Sequence, residues 1–432
     1  MGLLVAAILA VGAMAGFGQD PCADAEAIIK LGDQFRAEFP DKTLAGRKKA
    51  SATGKSFLEK YGSCESAKDL ADYLKTQIPR IDENIKKIEE AEAKAALLKR
   101  FDTALGSKNW DEVYAAGKEI LQKYPDEFRT AELVLGSIGL DETAKSPRIT
   151  KYNDETLRFA RQAIADLEAG KEFKVLNKEG VKVDSFGLNP FSYKSKEDAL
   201  GWMNYTIGYI YFYDKKDKKQ GLSYLYKATQ LASDTKNNPI VYESIGSYYF
   251  DEVRKLAAEV DALAKQQADT DTPEVAKEKV DAIKAKVALV NGTAEAALDA
   301  YARAYSLAKA DAKSPKAYND NLLKIQQDLY NVRFGKMDGF DTFVSNLIKK
   351  PLPNPLNPVT PISDPDPVVT TTTTGVGSGV GAATGTGVGS PNGASAGKPN
   401  GTSLGTPSGA STGGAKPAAT PAKTAGPIKP KK

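Results

Sequence analysis

The chain has 432 residues, 59 Lys and Arg against 55 Asp and Glu, and no histidine. Without an imidazole, His-based catalytic triads, His-held zinc and His-ligated haem are excluded. The formal charge of +4 arises beyond residue 350, where Lys398, Lys416, Lys423, Lys429, Lys431 and Lys432 outnumber Asp364 and Asp366; the neutral remainder lacks the broad positive field that nucleic-acid binding needs.

Residues 3–15 are apolar and rich in Ala, Gly and Val, and Ala13-Met14-Ala15 and Gly16-Phe17-Gly18 fit a small-residue cleavage site. This predicts a secretory signal peptide over residues 1–18, although no Lys or Arg precedes the apolar run. The other reading is a retained anchor, for which the run is short against the roughly 20 residues of a membrane span. Cys22 follows Gln19-Asp20-Pro21, which is not a lipid-attachment context. The chain is thus expected to be exported, to a periplasmic or extracellular place.

A first helix is expected over 23–39, with Ile28, Leu31, Phe35 and Phe39 on one face and Pro40 ending it. A second runs over 43–61 and stops at Gly62. Two helices joined by a short loop pack antiparallel, which returns Cys64 to the neighbourhood of Cys22. A disulfide in an exported chain follows, the alternative being two buried thiols. Gly54-Lys55-Ser56 ends like a phosphate-binding loop, but Lys49 stands where the earlier glycine is required and no strand precedes it. A helix over 65–78, Pro79, and a charged helix over 81–105 come next, with Glu89, Glu90 and Glu92 on a solvated face. An N-terminal helical region over 19–79 is therefore set apart from a longer helical domain over 80–350.

The helical pattern lapses between Phe173 and Tyr193, where Val181-Lys182-Val183 alternates; a long loop with a small hairpin is expected. From 251 to 292, Val253, Leu256, Val260 and Leu263, then Val280, Ile283, Val287 and Val290, step by three and four. This reads as a coiled-coil-like hairpin, with Thr272-Pro273 starting its second helix and Asn291-Gly292 ending it. Helices over 315–334 and 340–350 close the folded region. Residues 351–432 are dominated by Pro, Thr, Gly, Ser and Ala and are expected to be disordered, since they hold too little apolar surface to offset their ordering entropy. Their lysines suit weak contact with an anionic envelope polymer or membrane surface, or a plain flexible spacer.

Trp202-Met-Asn-Tyr-Thr-Ile-Gly-Tyr-Ile-Tyr-Phe-Tyr213 is followed by Gly221-Leu-Ser-Tyr-Leu-Tyr-Lys-Ala228. This pair resembles the tetratricopeptide repeat family. Gly208 and Tyr211 match its first helix, and Gly221, Leu225 and Ala228 the small–large–small series of its second. The first signature returns at Tyr242, Ile245, Gly246 and Tyr249, and the second at Ala297, Tyr301 and Ala304; Trp110 to Pro125 is a weaker match because Gly117 stands where a large residue is usual. The resemblance implies an all-α solenoid of stacked antiparallel pairs with the 251–292 hairpin inserted. It also implies a concave groove lined by first helices, here Trp202, Tyr205, Tyr209, Tyr213, Glu243, Ser247 and Asp251, with Tyr211 and Tyr249 in the core; Trp202 and Tyr205 read equally well as core.

The function expected is an exported scaffold or adaptor that binds a protein or peptide segment, without catalysis, cofactor or metal. One alternative is a structural accessory protein of envelope or secretion assembly acting through the hairpin and tail. Another is a carboxylate-based enzyme acting on a glycan, although no acid pair stands out. Lys215-Lys216-Asp217-Lys218-Lys219 reads as a solvated turn, and Asn204-Tyr-Thr and Asn291-Gly-Thr fit the glycosylation acceptor pattern.

Overall fold

The computed structural model describes residues 20–176, 179–268 and 270–364, and it is helical apart from two small hairpins. The expected signal peptide over 1–18 and the tail from 365 onward lie outside the described residues. Contacts divide the chain between Glu112 and Val113 into two units.

In the first unit, α1 (Ala25–Glu38), α2 (Leu44–Tyr61) and α3 (Lys68–Ser107) follow one another. The Asp24 and Thr43 side chains cap α1 and α2 by accepting from the amides of Ala27 and Gly46. Phe35, Phe57, Leu74, Ile78 and Ile81 build the core. The expected disulfide is present: Cys22 and Cys64 are bonded, with Cα atoms 5.2 Å apart. Gly54 sits in mid-helix, where an added Cβ would lie 2.3 Å from Ile78 Cδ1, so this glycine serves close helix packing.

Pro79 does not end a helix, as its residue type predicted; α3 runs through it. Both Pro79 and Lys75, whose carbonyl loses its amide partner, are exposed, so the missing hydrogen bond lies on the solvent side of the helix. Leu74, Ile78 and Ile81 meanwhile continue one buried stripe on either side of it. The expected domain border at 79/80 therefore falls inside a continuous helix. The acidic face of this helix is exposed, and Glu89 pairs with Lys48 at 2.6 Å.

The second unit takes in most of α4 (Trp110–Lys123), then α5 (Thr130–Leu135), α6 (Ile138–Thr143) and α7 (Asn153–Glu168). Two antiparallel hairpins follow, β1 (Lys174–Leu176) with β2 (Lys182–Asp184) and β3 (Phe186–Leu188) with β4 (Phe191–Tyr193). Then come α8 (Lys196–Tyr213), α9 (Lys218–Gln230), α10 (Pro239–Ala264), α11 (Pro273–Ala310), α12 (Lys316–Phe334) and α13 (Phe340–Leu347). From α7 to α12 each helix packs on the next along the chain.

The α8–α9 pair is antiparallel, and its glycines face each other. A Cβ on Gly208 would lie 2.6 Å from Leu225 Cγ, and one on Gly221 would lie 3.0 Å from the Gly208 carbonyl. Absent side chains at these positions let the helices approach, and Leu225 fills the groove beside them. Asp198 joins the two ends of this pair. Its buried carboxylate accepts from the Lys194 amide, the Ser233 hydroxyl and the Asp234 amide at 2.8–3.0 Å.

α10 and α11 are also antiparallel, with Gly246 against the Tyr301 ring and Glu259 paired to Lys286 at 2.7 Å. They form one long hairpin. The 251–292 segment is an extension of this pair and not a separate insertion, and Asn291-Gly292 does not stop α11. Asn291 and Gly292 are buried inside it, against a stretch of the C-terminal chain.

That stretch, residues 351–364, differs from the expected disorder. Leu352 and Val359 pack on the core formed by α10, α11 and α12. The Ile362 amide donates to the Ala288 carbonyl at 2.8 Å, and Arg333 pairs with Asp364 at 2.9 Å. The few apolar residues among the prolines suffice because α11 and α12 offer a surface already built.

Candidate functional site

The residues that the family resemblance assigns to a groove come together in space. Trp202, Tyr205, Tyr209 and Tyr213 step by three and four along α8 and form a chain of rings with centroids 5.8, 5.7 and 4.4 Å apart. The Tyr213 hydroxyl is 3.2 Å from Ser244 Oγ on α10, next to Glu243. Further along α10, Lys218 donates to Ser247 at 2.9 Å and to Asp251 at 2.6 Å.

The face they make is not an open aromatic groove. Tyr205 and Tyr209 are 4% and 3% exposed and belong to the core. Trp202, Tyr213, Glu243, Ser247 and Asp251 are half-buried. Part of the cover is Tyr318, in the first turn of α12, whose hydroxyl donates to Glu243 Oε2 at 2.7 Å. Leu140 and Ala144, at the end of α6, pack on the same core as Tyr205 and Tyr209 and close the face further. Tyr249 is in the core as expected, while Tyr211 is half-buried, stacked against Tyr224 at 6.4 Å.

Burial dominates the electrostatics of this cluster. It raises the Glu243 carboxyl above the ordinary range, with the Tyr318 hydroxyl opposing the shift. It also raises the phenols of Tyr205, Tyr213, Tyr301 and Tyr318, to which the nearby Glu243 charge adds. Arg148 lies over the Tyr213 ring at 5.3 Å, a cation–π contact on the same cluster. A single carboxylate held by one phenol, among apolar ring faces, ties α10 to α12. The accessible rim of this face is Trp202, Ser247 and Asp251 with Lys218.

Tyr318 and Arg148 were not singled out by the sequence, and Lys218 entered only as part of a run read as a solvated turn. A signal existed for Tyr318: Glu243 falls beside the apolar series Tyr242, Ile245, Tyr249, and a buried carboxylate requires a donor. Nothing local says that the donor is on α12. The basic run at 215–219 is more than a solvated turn, because Lys215 pairs with Asp154 at 2.7 Å and Lys218 with Asp251.

Two further features bear on chemistry. Asn204 and Asn291 are 1% and 5% exposed, and their amide nitrogens donate to the Leu200 and Ile362 carbonyls, so neither offers an acceptor for a glycan on the folded chain. Glu132 on α5 and Asp166 on α7 are near enough for the Asp166 charge to raise the Glu132 carboxyl, after burial, to about 7. Both are enclosed, at 7% and 5% exposure. Asp166 is bound by Arg129 at 3.3 Å, Lys171 at 2.9 Å and Gln162 at 2.8 Å, an arrangement of a packed interior.

Among the described residues, no helix is long and apolar enough to cross a membrane, and the Cys22–Cys64 bond is compatible with an exported protein. No family model matches the chain, and no curated protein or solved structure matches it either.

Proposed function

We propose that this protein is an exported, non-catalytic scaffold of tetratricopeptide-like helix pairs that binds a segment of another protein. The observation that carries the reading is the pair of close approaches, Gly208 to Gly221 with Leu225 and Gly246 to Tyr301. Two successive pairs use small residues where helices cross and a large one to fill the groove, which is how thin helix pairs stack into a binding surface. With Tyr205 and Tyr209 in the core, the partner-facing surface is the rim of Trp202, Ser247 and Asp251. The signal-like residues 1–18 and the disulfide support export, and a periplasmic place suits both.

A second reading has its own observation. The α10–α11 hairpin is unbroken, and Val275 and Val280 in its distal half are 40% and 39% exposed, which suits a structural accessory protein that assembles other parts through the hairpin. A photo-crosslinking residue placed at 251 or at 275 in the full chain separates the two. Capture of one protein from an envelope extract at 251, and not at 275, supports the scaffold face; capture at 275 alone supports the hairpin; capture at neither removes both.

A further inference from the structure

The C-terminal segment 359–364 lies across α11 and α12 in the manner of a bound peptide. Ile362 is held at both backbone groups: its amide donates to the Ala288 carbonyl at 2.8 Å, and its carbonyl accepts from Asn291 Nδ2 at 3.1 Å. This clamp reads the main chain and not the side chain. Three residues earlier, Val359 packs at Gly292, where an added Cβ would lie 2.1 Å from the Thr360 carbonyl and 3.1 Å from Val359 Cγ1. Two residues later, Asp364 meets Arg333 at 2.9 and 3.1 Å. Arg333 is itself buried and fixed from the other side by Glu295 at 2.7 Å.

The segment, by contrast, contributes little of its own. Thr360, Pro361, Ser363 and Asp364 are exposed, and Val359 and Ile362 are only half-buried. The specific features are on the body: a mid-helix glycine that admits a backbone, an asparagine amide aimed at a carbonyl, and a buried arginine aimed at a carboxylate. A tethered segment needs few contacts to fill such a place, because its effective concentration is in the millimolar range for short tethers.

We propose that Ala288, Asn291, Gly292 and Arg333 form a recognition site for an extended peptide segment of a partner protein, occupied in cis by residues 359–364. The segment carries an apolar residue three positions before the clamped one and a carboxylate two positions after it. The guanidinium selects the carboxylate by a charge-assisted pair, and the clamp excludes proline at the central position. This deepens the scaffold reading by naming a site and the segment it takes, and it is measured directly, apart from any partner capture.

The probe is a fluorescent peptide of residues 357–366, titrated against the full chain. Wild type, filled in cis, binds it weakly. A full chain carrying Ile362→Pro and Asp364→Lys loses the amide donor and the carboxylate, and is expected to bind it at least tenfold more tightly, in keeping with loss of an internal competitor. Asp364→Lys alone, at a residue 60% exposed, gives the same direction without touching packing. Adding Asn291→Ala to either variant, or replacing Asp364 by Asn in the peptide, weakens binding about tenfold, the scale of a hydrogen bond to a charged or fixed partner. Equal affinity for wild type and released chains overturns the proposal. So does no binding to a released chain whose circular dichroism matches wild type. Because the peptide derives from this chain, failure to capture an envelope partner would count against the scaffold reading and leave this result standing.

Discussion

Replacing Glu132 by glutamine tests the interior of the second unit most directly. The Glu132 carboxyl is 7% exposed and one oxygen has no hydrogen-bond partner. Burial, then the Asp166 charge, raises it from 4.5 to about 7, against the weaker pull of Arg129 and Lys171. The folded chain therefore holds a proton that the unfolded chain releases between pH 4.5 and 7. Stability falls as pH rises through that window and is level above it. At about 1.4 kcal/mol per pH unit, the gap costs about 3 kcal/mol at pH 8. The glutamine amide keeps the shape of the protonated acid and removes this cost. Arg129 retains its bonds to Asp126 at 2.6 Å and to the Glu172 carbonyl at 2.9 Å. Urea unfolding followed by circular dichroism at pH 4, 6 and 8 is the assay. Wild type and variant should match at pH 4, and the variant should gain about 3 kcal/mol by pH 8. Parallel pH profiles, or a variant less stable at pH 8, would refute the assignment of an ionised, unsupported carboxylate.

Four other substitutions probe the remaining contacts. Cys22→Ser with Cys64→Ser opens a loop closed across a separation of 42 residues; the first unit should lose about 4 kcal/mol in the chain-entropy model, read as a lower urea midpoint. Gly246→Val places branched carbon atoms where a Cβ alone would be 2.8 Å from the buried Tyr301 ring; overpacking should cost about 3 kcal/mol, seen as a lower melting temperature. Tyr318→Phe removes the donor to Glu243, raising that carboxyl further; the loss should be roughly 2 kcal/mol at pH 8 and shrink in acid as Glu243 protonates. Gly292→Ala drives a methyl into the Thr360 carbonyl; hydrogen exchange at the Ile362 amide should rise by at least tenfold, since its bond to Ala288 depends on that approach.

Much of the helical architecture was legible in the sequence because it follows from local rules. Helical patterning and stop signals placed α1, α2 and α12 to within about two residues, the family resemblance marked α8 and α9 while missing the first turns of α8, and the capping residues Asp24 and Thr43 stand where α1 and α2 begin. The disulfide was legible because a short loop between two helices fixes where their far ends meet. The glycine positions 208, 221 and 246 were legible through the family resemblance, and each lies against a neighbouring helix.

Tertiary structure decided what local rules cannot. Pro79 breaks a helix by rule, yet α3 continues because the missing bond lies on its exposed side and both flanks bury the same stripe. Asn291-Gly292 ends a helix by rule, yet α11 continues because a distant segment fills the space that glycine leaves. Tyr205 and Tyr209 carry the pattern of a groove, yet they are core, because exposure depends on what packs over them, Leu140 and Tyr318 included, and no residue of α8 encodes that. Likewise, residues 351–364 cannot build a core of their own and still hold a place, since the apolar surface and the arginine they need are supplied by helices about thirty to seventy residues earlier in the chain. Local periodicity records which residues seek burial; only the assembled chain specifies what buries them.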